Sequence, residues 1–541
     1  MGERNGRKNY IEQGGIRGVT MWIVFLLFLI KVVYMSYKNG MQGMTYYALA
    51  DAVYILGYIL LGLAVVPIMK KMICFQMNKG SYRNGYKVYR TISGFVHVLT
   101  VILCAFLFVF SDALSKAIFG TVLCSLMLRL VSVALLFLVF GFSIKGYLEG
   151  IGNPVPGMYA DVLANLFGLI VTVIFQPAFA DYGRKVAAVM GSDSYAYAYA
   201  ACSGILGLLI GSVLSLLFLS FVRSVFGKEI RNRIRQDDMR KTDTVQDILW
   251  NFFVGYFKTA FIDHVGVLLV IVLVIIYCHT QGRAETGAGM LFVCGVVALP
   301  AGILVSQLTA HFTRQLVSIM RQSDFHHAKE KTSFALKMLS YAVLPYVTIG
   351  IALAPLAGKV FFDTELTGFS GFICMGMGIA AVLAYSFFVR QTYAVFAKPY
   401  MRNLYAGILG VSGILFFLLL HKCKLSGEES AAYAYLLACL VHLLVTGAAV
   451  MKKIRIFNRL ITAVFMPFLA SLVAAGVSYG LYRITASFMP DVVTLLLCAV
   501  VGYLIHNIII VILHVFEAHE WSEVPFAKIP VAMAKMFGGM K

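Results

Sequence analysis

The sequence predicts an all-α polytopic membrane protein of about 14 transmembrane helices, arranged as two six-helix lobes related by a pseudo-two-fold plus two C-terminal helices. Three observations carry this prediction. The first is composition: 60% hydrophobic residues, 13% charged residues and a mean hydropathy of +0.85 lie outside the range of a water-soluble domain. The second is length. Apolar stretches of about 20 residues, enough to cross a bilayer's hydrocarbon, recur along all 541 residues. The third is the placement of charge: 33 of the 45 Lys and Arg fall on alternate connecting segments and 9 on the segments between them. That asymmetry is the positive-inside pattern, and it puts both termini in the cytoplasm of a multi-pass protein of the cell membrane.

The elements follow in order. The polar N-terminus MGERNGRKNYIEQGGIRG is too long for a signal n-region and no small-residue cleavage site follows, so span one, 18–37, is read as uncleaved. Span two, 45–69, runs into the basic loop 70–90, and span three covers 88–110. Span four, 120–144, stops at Lys145, where GIGNPVPG forces a reversal because Pro and Gly do not continue a helix. Span five, 157–180, and span six, 196–222, complete the first half. The longest charged break, GKEIRNRIRQDDMRKTDTVQD, then precedes span seven, 248–278, and span eight, 287–312. Spans nine to twelve, 334–357, 368–389, 403–420 and 430–450, alternate with basic inner segments, and spans thirteen and fourteen, 460–482 and 491–515, trail.

This divides the chain into an N-terminal lobe (1–226), a cytoplasmic basic linker (227–247), a C-terminal lobe (248–451) and a final pair with a cytoplasmic tail (452–541). Two local repeats support duplication: AYAY at 196–199 and 432–435, and SKAIF at 115–119 against GKVFF at 358–362. Six spans per half give both lobes one orientation, as in transporters that rock two halves about a central site.

Several function classes drop out. The net charge of +20 reports topology and contact with membrane lipids rather than nucleic acid. No Walker A motif GxxxxGK[ST] appears, so the chain carries no ATPase of its own, and HExxH is absent, HEWSE at 519–523 being a coincidence. Ten cysteines stand singly without ligand spacing and read as packed apolar groups, so no metal or cofactor is expected.

Ionisable residues within spans cost about 2.5–3.5 kcal/mol each, so they should face a cavity, pair or snorkel. Lys31 and Asp51 lie at matching depths and are expected to pair or to face a cavity. Lys258, near mid-depth, and Arg129 are expected to face the cavity. Asp263, five residues after Lys258, is turned about 140° from it on an α-helix, so it is expected to meet another helix or to serve coupling. Such a mixed-charge cavity suits an anionic, sugar-bearing or zwitterionic headgroup. His264, His442 and His506 read as packed or hydrogen-bonded, His326 and His327 as solvated, and Tyr195, Tyr197, Tyr199, Tyr433 and Tyr435 as an interface belt. In the reversal, Lys145 and Glu149 share one face at the end of span four, and Asp161 sits in the first turns of span five, where the helix dipole favours an acid.

The stretch KGYLEGIGNPVPGMYADVLANLFG resembles the span-four to span-five hairpin of stage V sporulation protein B-like polysaccharide exporters, of the multidrug/oligosaccharidyl-lipid/polysaccharide exporter superfamily. Gly146, Tyr147, Gly150, Asn153 and Pro156 stand where that family's pattern has them. Glu149, Asp161, Ala164, Asn165 and Gly168 depart from it. KNGMQGMTYYAL at 38–49 resembles the segment after the family's first span, and LVSQLTAHFTRQLVSIMRQSDFHHAKEKTSFALKM its span-eight to span-nine connection without the usual proline. The resemblance implies a flippase, not an enzyme, that moves a lipid-linked sugar of the undecaprenyl-diphosphate type by alternating access, biased by membrane potential or a coupling ion, H+ or Na+. It implies that Lys31, Arg129 and Lys258 meet the headgroup, that Lys145, Glu149, Asn153, Pro156 and Asp161 form an inner gate, and that the last two spans line a groove for the lipid tail. A multidrug/cation antiporter of the same superfamily is the nearest alternative. A polytopic acyltransferase using His442, or His506 with Asn507, is the next.

Overall fold

In a computed structural model the structure describes residues 2–235, 237, 243–281, 287–322, 324–362, 369–396, 399–423, 430–517 and 519–524. Most of the predicted C-terminal tail, and residues 236 and 238–242 of the predicted linker, lie outside the described residues. The described chain is helical throughout, with no strand. Among the described residues twelve helices are long and apolar enough to cross a membrane, thirteen when one bent pair is counted as a span.

The first of these, Gly15–Asn78, is 64 residues long. At about 1.5 Å per residue it is too long for a single crossing of a bilayer core of about 30 Å, so it must reverse. It does so within α1 (Gly2–Gly57) at Gly40, whose φ of 63° and ψ of −175° break the helix between the first two predicted spans. Only glycine takes that backbone conformation without strain. A π turn at Tyr58–Leu63 then joins α1 to α2 (Val65–Asn78). The helices α3 (Tyr82–Val109), the short α4 (Ser111–Phe119), α5 (Ser125–Gly150), α6 (Val155–Met190), α7 (Ser194–Arg235), α8 (Val245–Phe257) and α9 (Val265–Gln281) follow. Between α8 and α9 a second π turn, Lys258–Ile262, accompanies a bend of 60°. Such turns widen the helix and loosen its hydrogen-bond ladder, a common cause of kinks.

The chain falls into two compact units, Met1–Gly289 and Met290–Lys541. The described residues of 227–247 and the seventh predicted span therefore lie within the first, where Ile248 and Phe252 of α8 are buried among Val65, Ile68, Met69 and Ile92 of α2 and α3. In the same unit α6 crosses α7 closely enough that a Cβ placed on Gly168 would stand 3.2 Å from the Gly207 carbonyl oxygen. Small residues allow this approach, the usual means of helix association in lipid. Gly207→Leu is accordingly expected to force the two helices apart at a cost of about 1–3 kcal/mol or more, read as a lowered thermal midpoint in detergent. An unchanged midpoint would show that the crossing yields.

The second unit is built from α10 (Gly287–Arg321), α11 (Phe325–Ala352), α12 (Ala354–Phe362), α13 (Phe369–Phe396), α14 (Pro399–Cys423), α15 (Ser430–Ile454), α16 (Met466–Thr485) and α17 (Asp491–Ile512). Its main core gathers Leu336, Leu339, Val343 and Val347 of α11 against Val305 and Phe312 of α10 and Ala380 and Phe388 of α13. The trailing helices lean on α11: Ala470 and Ile510 pack with Met338 and Tyr341, and Ala474 and Cys498 with Ile349. After α17 the chain turns at His514, whose φ is 50°, and buries Val515, Phe516 and Trp521 against the α11 surface.

Candidate functional site

The reversal at Gly40 brings Lys31, on the first arm of α1, against Tyr47 and Asp51 on the second. Tyr47 and Asp51 are four residues apart and so share a helix face. Lys31 Nζ donates to the Tyr47 hydroxyl at 2.9 Å and lies 5.5 and 5.3 Å from the centroids of Phe28 and Tyr47. The Asp51 carboxylate shares a side-chain hydrogen bond with Tyr47 and interacts electrostatically with Lys31. All three are buried, at 3%, 0% and 5% exposure. Desolvated charges in a span persist only when paired and hydrogen-bonded, and here a phenol relays between the cation and the carboxylate. The sequence paired Lys31 with Asp51 by depth and missed Tyr47, although its spacing from Asp51 signals a common face. The cluster presents donors suited to phosphate oxygens and an acceptor suited to sugar hydroxyls or a cation.

The structure places the other in-span charges elsewhere. Arg129 Nε donates to Ser111 Oγ at 2.8 Å and Nη2 to Asp112 Oδ2 at 2.9 Å, with both side chains partly exposed at 41% and 58%. Its guanidinium is thus committed to α4. Lys258 opens the π turn and is exposed. Asp263 is half-buried, and its backbone N–H donates to the Lys258 carbonyl at 3.2 Å, a five-residue register. The 140° separation presupposed α-helical winding, which the π turn replaces. His264 Nδ1 is 2.7 Å from the Thr259 carbonyl in the same distorted turn.

The hairpin after α5 is held by two cross-helix pairs. Lys145 Nζ meets Asp161 Oδ2 of α6 at 2.5 Å, and Lys70 of α2 meets Glu149 Oε2 at 3.0 Å. So Lys145 and Glu149, expected on one face, tie α5 to different neighbours. Asn153 N–H donates to the Leu148 carbonyl at 2.9 Å and Gly152 has a φ of 93°, which closes the end of α5. Pro156 is buried, and a Cβ on Gly157 would lie 2.8 Å from Lys145 Cγ, so glycine there lets the lysine stem cross α6. Lys70 is the partner that reading the hairpin alone did not reveal.

In the second unit Ser386 of α13 and the Nδ1 of His442 on α15 are hydrogen-bonded and buried. Tyr341 on α11 donates to Asn507 Oδ1 of α17 at 2.5 Å, beside His506, whose ring lies 5.8 Å from that of Tyr341. His326 and His327 are exposed beside Glu330, at 3.9 and 4.0 Å. Among the described residues no group of His, Cys, Asp and Glu is arranged to hold a metal.

No protein-family model and no curated protein sequence matches the chain. Solved structures do. The lipid II flippase MurJ in an inward closed conformation superposes with a TM-score of 0.63 at 14% identity, covering 92% of this chain and 98% of that one. An inward-facing multidrug resistance MATE family transporter of the MOP superfamily gives 0.60 at 14% identity, covering 82% and 99%. The outward-facing conformation of such a transporter gives 0.53 at 14% identity, covering 82% and 96%. The chain has the fold that these flippases and transporters share, which is the fold expected from the resemblance of its hairpin.

Proposed function

We propose that this chain is a membrane transporter that carries a lipid-linked sugar of the undecaprenyl-diphosphate type across the cytoplasmic membrane by alternating access. The observation that carries the reading is the buried Lys31, Tyr47 and Asp51 cluster, which holds phosphate-seeking donors and a sugar-seeking acceptor inside an apolar span. The choice of a lipid over a soluble drug is supported by the larger share of the chain that the flippase likeness covers, 92% against 82%. The helices α16 and α17 supply a groove for the tail, and Lys258 and Asp263, at the bend of the seventh span, contact the headgroup and couple its entry to an ion, H+ or Na+. Lys145, Glu149, Asn153, Pro156 and Asp161 gate the inner side, and two halves of the chain rock to alternate access, with both termini in the cytoplasm. Arg129, committed to Asp112, braces the bundle.

The drug or cation antiporter remains the second reading, favoured by one observation: Lys31, Arg129 and Lys145 are each neutralised by an acid, which leaves less net positive charge for a diphosphate. Proteoliposomes holding fluorescent undecaprenyl-diphosphate sugars separate the two. Wild type is expected to translocate the lipid, and Lys258→Ala and Lys31→Ala to lose roughly tenfold or more of the rate, as deletion of a charge-assisted contact predicts. Exchange of a small cation with no lipid movement would put the antiporter in its place.

A further inference from the structure

A polar cluster that shares no residue with the Lys31 site lies in the first unit, where the start of α3 and the end of α5 meet Arg223 of α7. Tyr86 and Tyr89 of α3 and Tyr147 of α5 gather there, with centroids 4.5 Å apart for Tyr89 and Tyr147, 6.0 Å for Tyr86 and Tyr89, and 6.1 Å for Tyr86 and Tyr147. Arg223 of α7 holds its guanidinium over the Tyr89 ring, 5.0 Å from the centroid. It also interacts electrostatically with Tyr147. Among the described residues no carboxylate pairs with Arg223. Tyr147 is 1% exposed, and its buried hydroxyl has no hydrogen-bond partner among the described residues.

A buried hydroxyl without a partner and a guanidinium with no carboxylate partner among the described residues therefore lie about one pair of tyrosine rings. A buried hydroxyl without a partner costs about 1–3 kcal/mol, and the half-buried Arg223 guanidinium faces the Tyr89 ring. One tetrahedral anion answers both, accepting from the Arg223 fork and from the Tyr147 hydroxyl while the tyrosine rings wall it. The first turns of α3 also carry Arg83 and Lys87, cations that favour an anion nearby. We propose that Arg223 and the Tyr147 hydroxyl form a phosphate-binding site, filled by the headgroup of an anionic phospholipid. This site binds a lipid of the bilayer and is independent of whichever substrate the Lys31 cluster handles.

Native mass spectrometry of the full chain tests it, with phosphatidylglycerol and a diacyl glycolipid lacking phosphate as probes. Wild type is expected to retain phosphatidylglycerol over the glycolipid. Arg223→Gln should weaken that retention by roughly tenfold or more and Tyr147→Phe by a few-fold, while Arg90→Gln, at an exposed position, leaves it nearly unchanged. Equal melting temperatures across the variants establish that the fold is retained. Inorganic phosphate is added as a separate arm: competition at millimolar levels, lost in Arg223→Gln, shows that the site takes the same group from water as well as from lipid. Retention in Arg223→Gln and Tyr147→Phe equal to wild type, or no preference of wild type for the phosphate lipid, overturns the proposal and leaves Arg223 as a cation reaching for the interface.

Discussion

Lys337→Ala is expected to lower stability by about 3–5 kcal/mol, the usual penalty for breaking a buried ion pair from one side. Lys337 on α11 donates to Glu520 Oε2 at 2.8 Å, and the two side chains are only 9% and 12% exposed. The same carboxylate oxygen accepts from the Glu517 backbone N–H at 2.8 Å, which closes the turn after α17. Removing the lysine strands Glu520 beneath Phe516 and Trp521, whose rings lie 5.0 Å apart. The double variant Lys337→Met, Glu520→Leu, which removes both charges and keeps their bulk, should recover most of the loss. Denaturation in nanodiscs, followed by tryptophan fluorescence, reads this directly because Trp521 sits in the affected cluster. A loss under about 1 kcal/mol for Lys337→Ala would mean that the pair behaves as a solvated surface contact.

Asp51→Ala is expected to do comparable damage by a different route. It leaves the buried Lys31 amine with the Tyr47 phenol but without the carboxylate that balances its charge. Losses of about 3–5 kcal/mol should follow, with Tyr47→Phe costing less, about 1–3 kcal/mol. The combination Lys31→Ala, Asp51→Ala should be more stable than the sum of the single losses by roughly 0.5–3 kcal/mol, the signature of residues in one network. Strict additivity would break the network into independent groups. Transport measured on the same proteins separates roles: the double variant, refolded but inactive, would assign the cluster to transport as well as to packing.

The helical class and the multi-pass character were legible in the chain because hydropathy and span length are properties of contiguous residues. Lys31 and Asp51 were legible as charges at matching depth, since depth in a bilayer follows from counting along each span. Tyr47 was not, because nothing local marks which polar group will stand between two charges. The hairpin shows the same limit. Its turn follows from GIGNPVPG, whereas the partners of Lys145 and Glu149 come from Asp161 and Lys70, on α6 and α2. Nothing in HEWSE marks Glu520 as one half of a buried pair with a residue 183 positions earlier.

The sequence by itself determined that this chain is helical, that it is built to cross a membrane many times, and that the backbone must reverse at GIGNPVPG, around Gly152. Tertiary structure alone decided that Arg129 turns to Asp112, that a π turn bends the span carrying Lys258, and that the segment after α17 closes over Lys337. The reason is physical. Hydrophobic transfer and backbone preference act residue by residue and survive in a one-dimensional pattern, whereas the partner of a buried charge is chosen by which helix faces meet, and that depends on close packing among residues far apart in the chain.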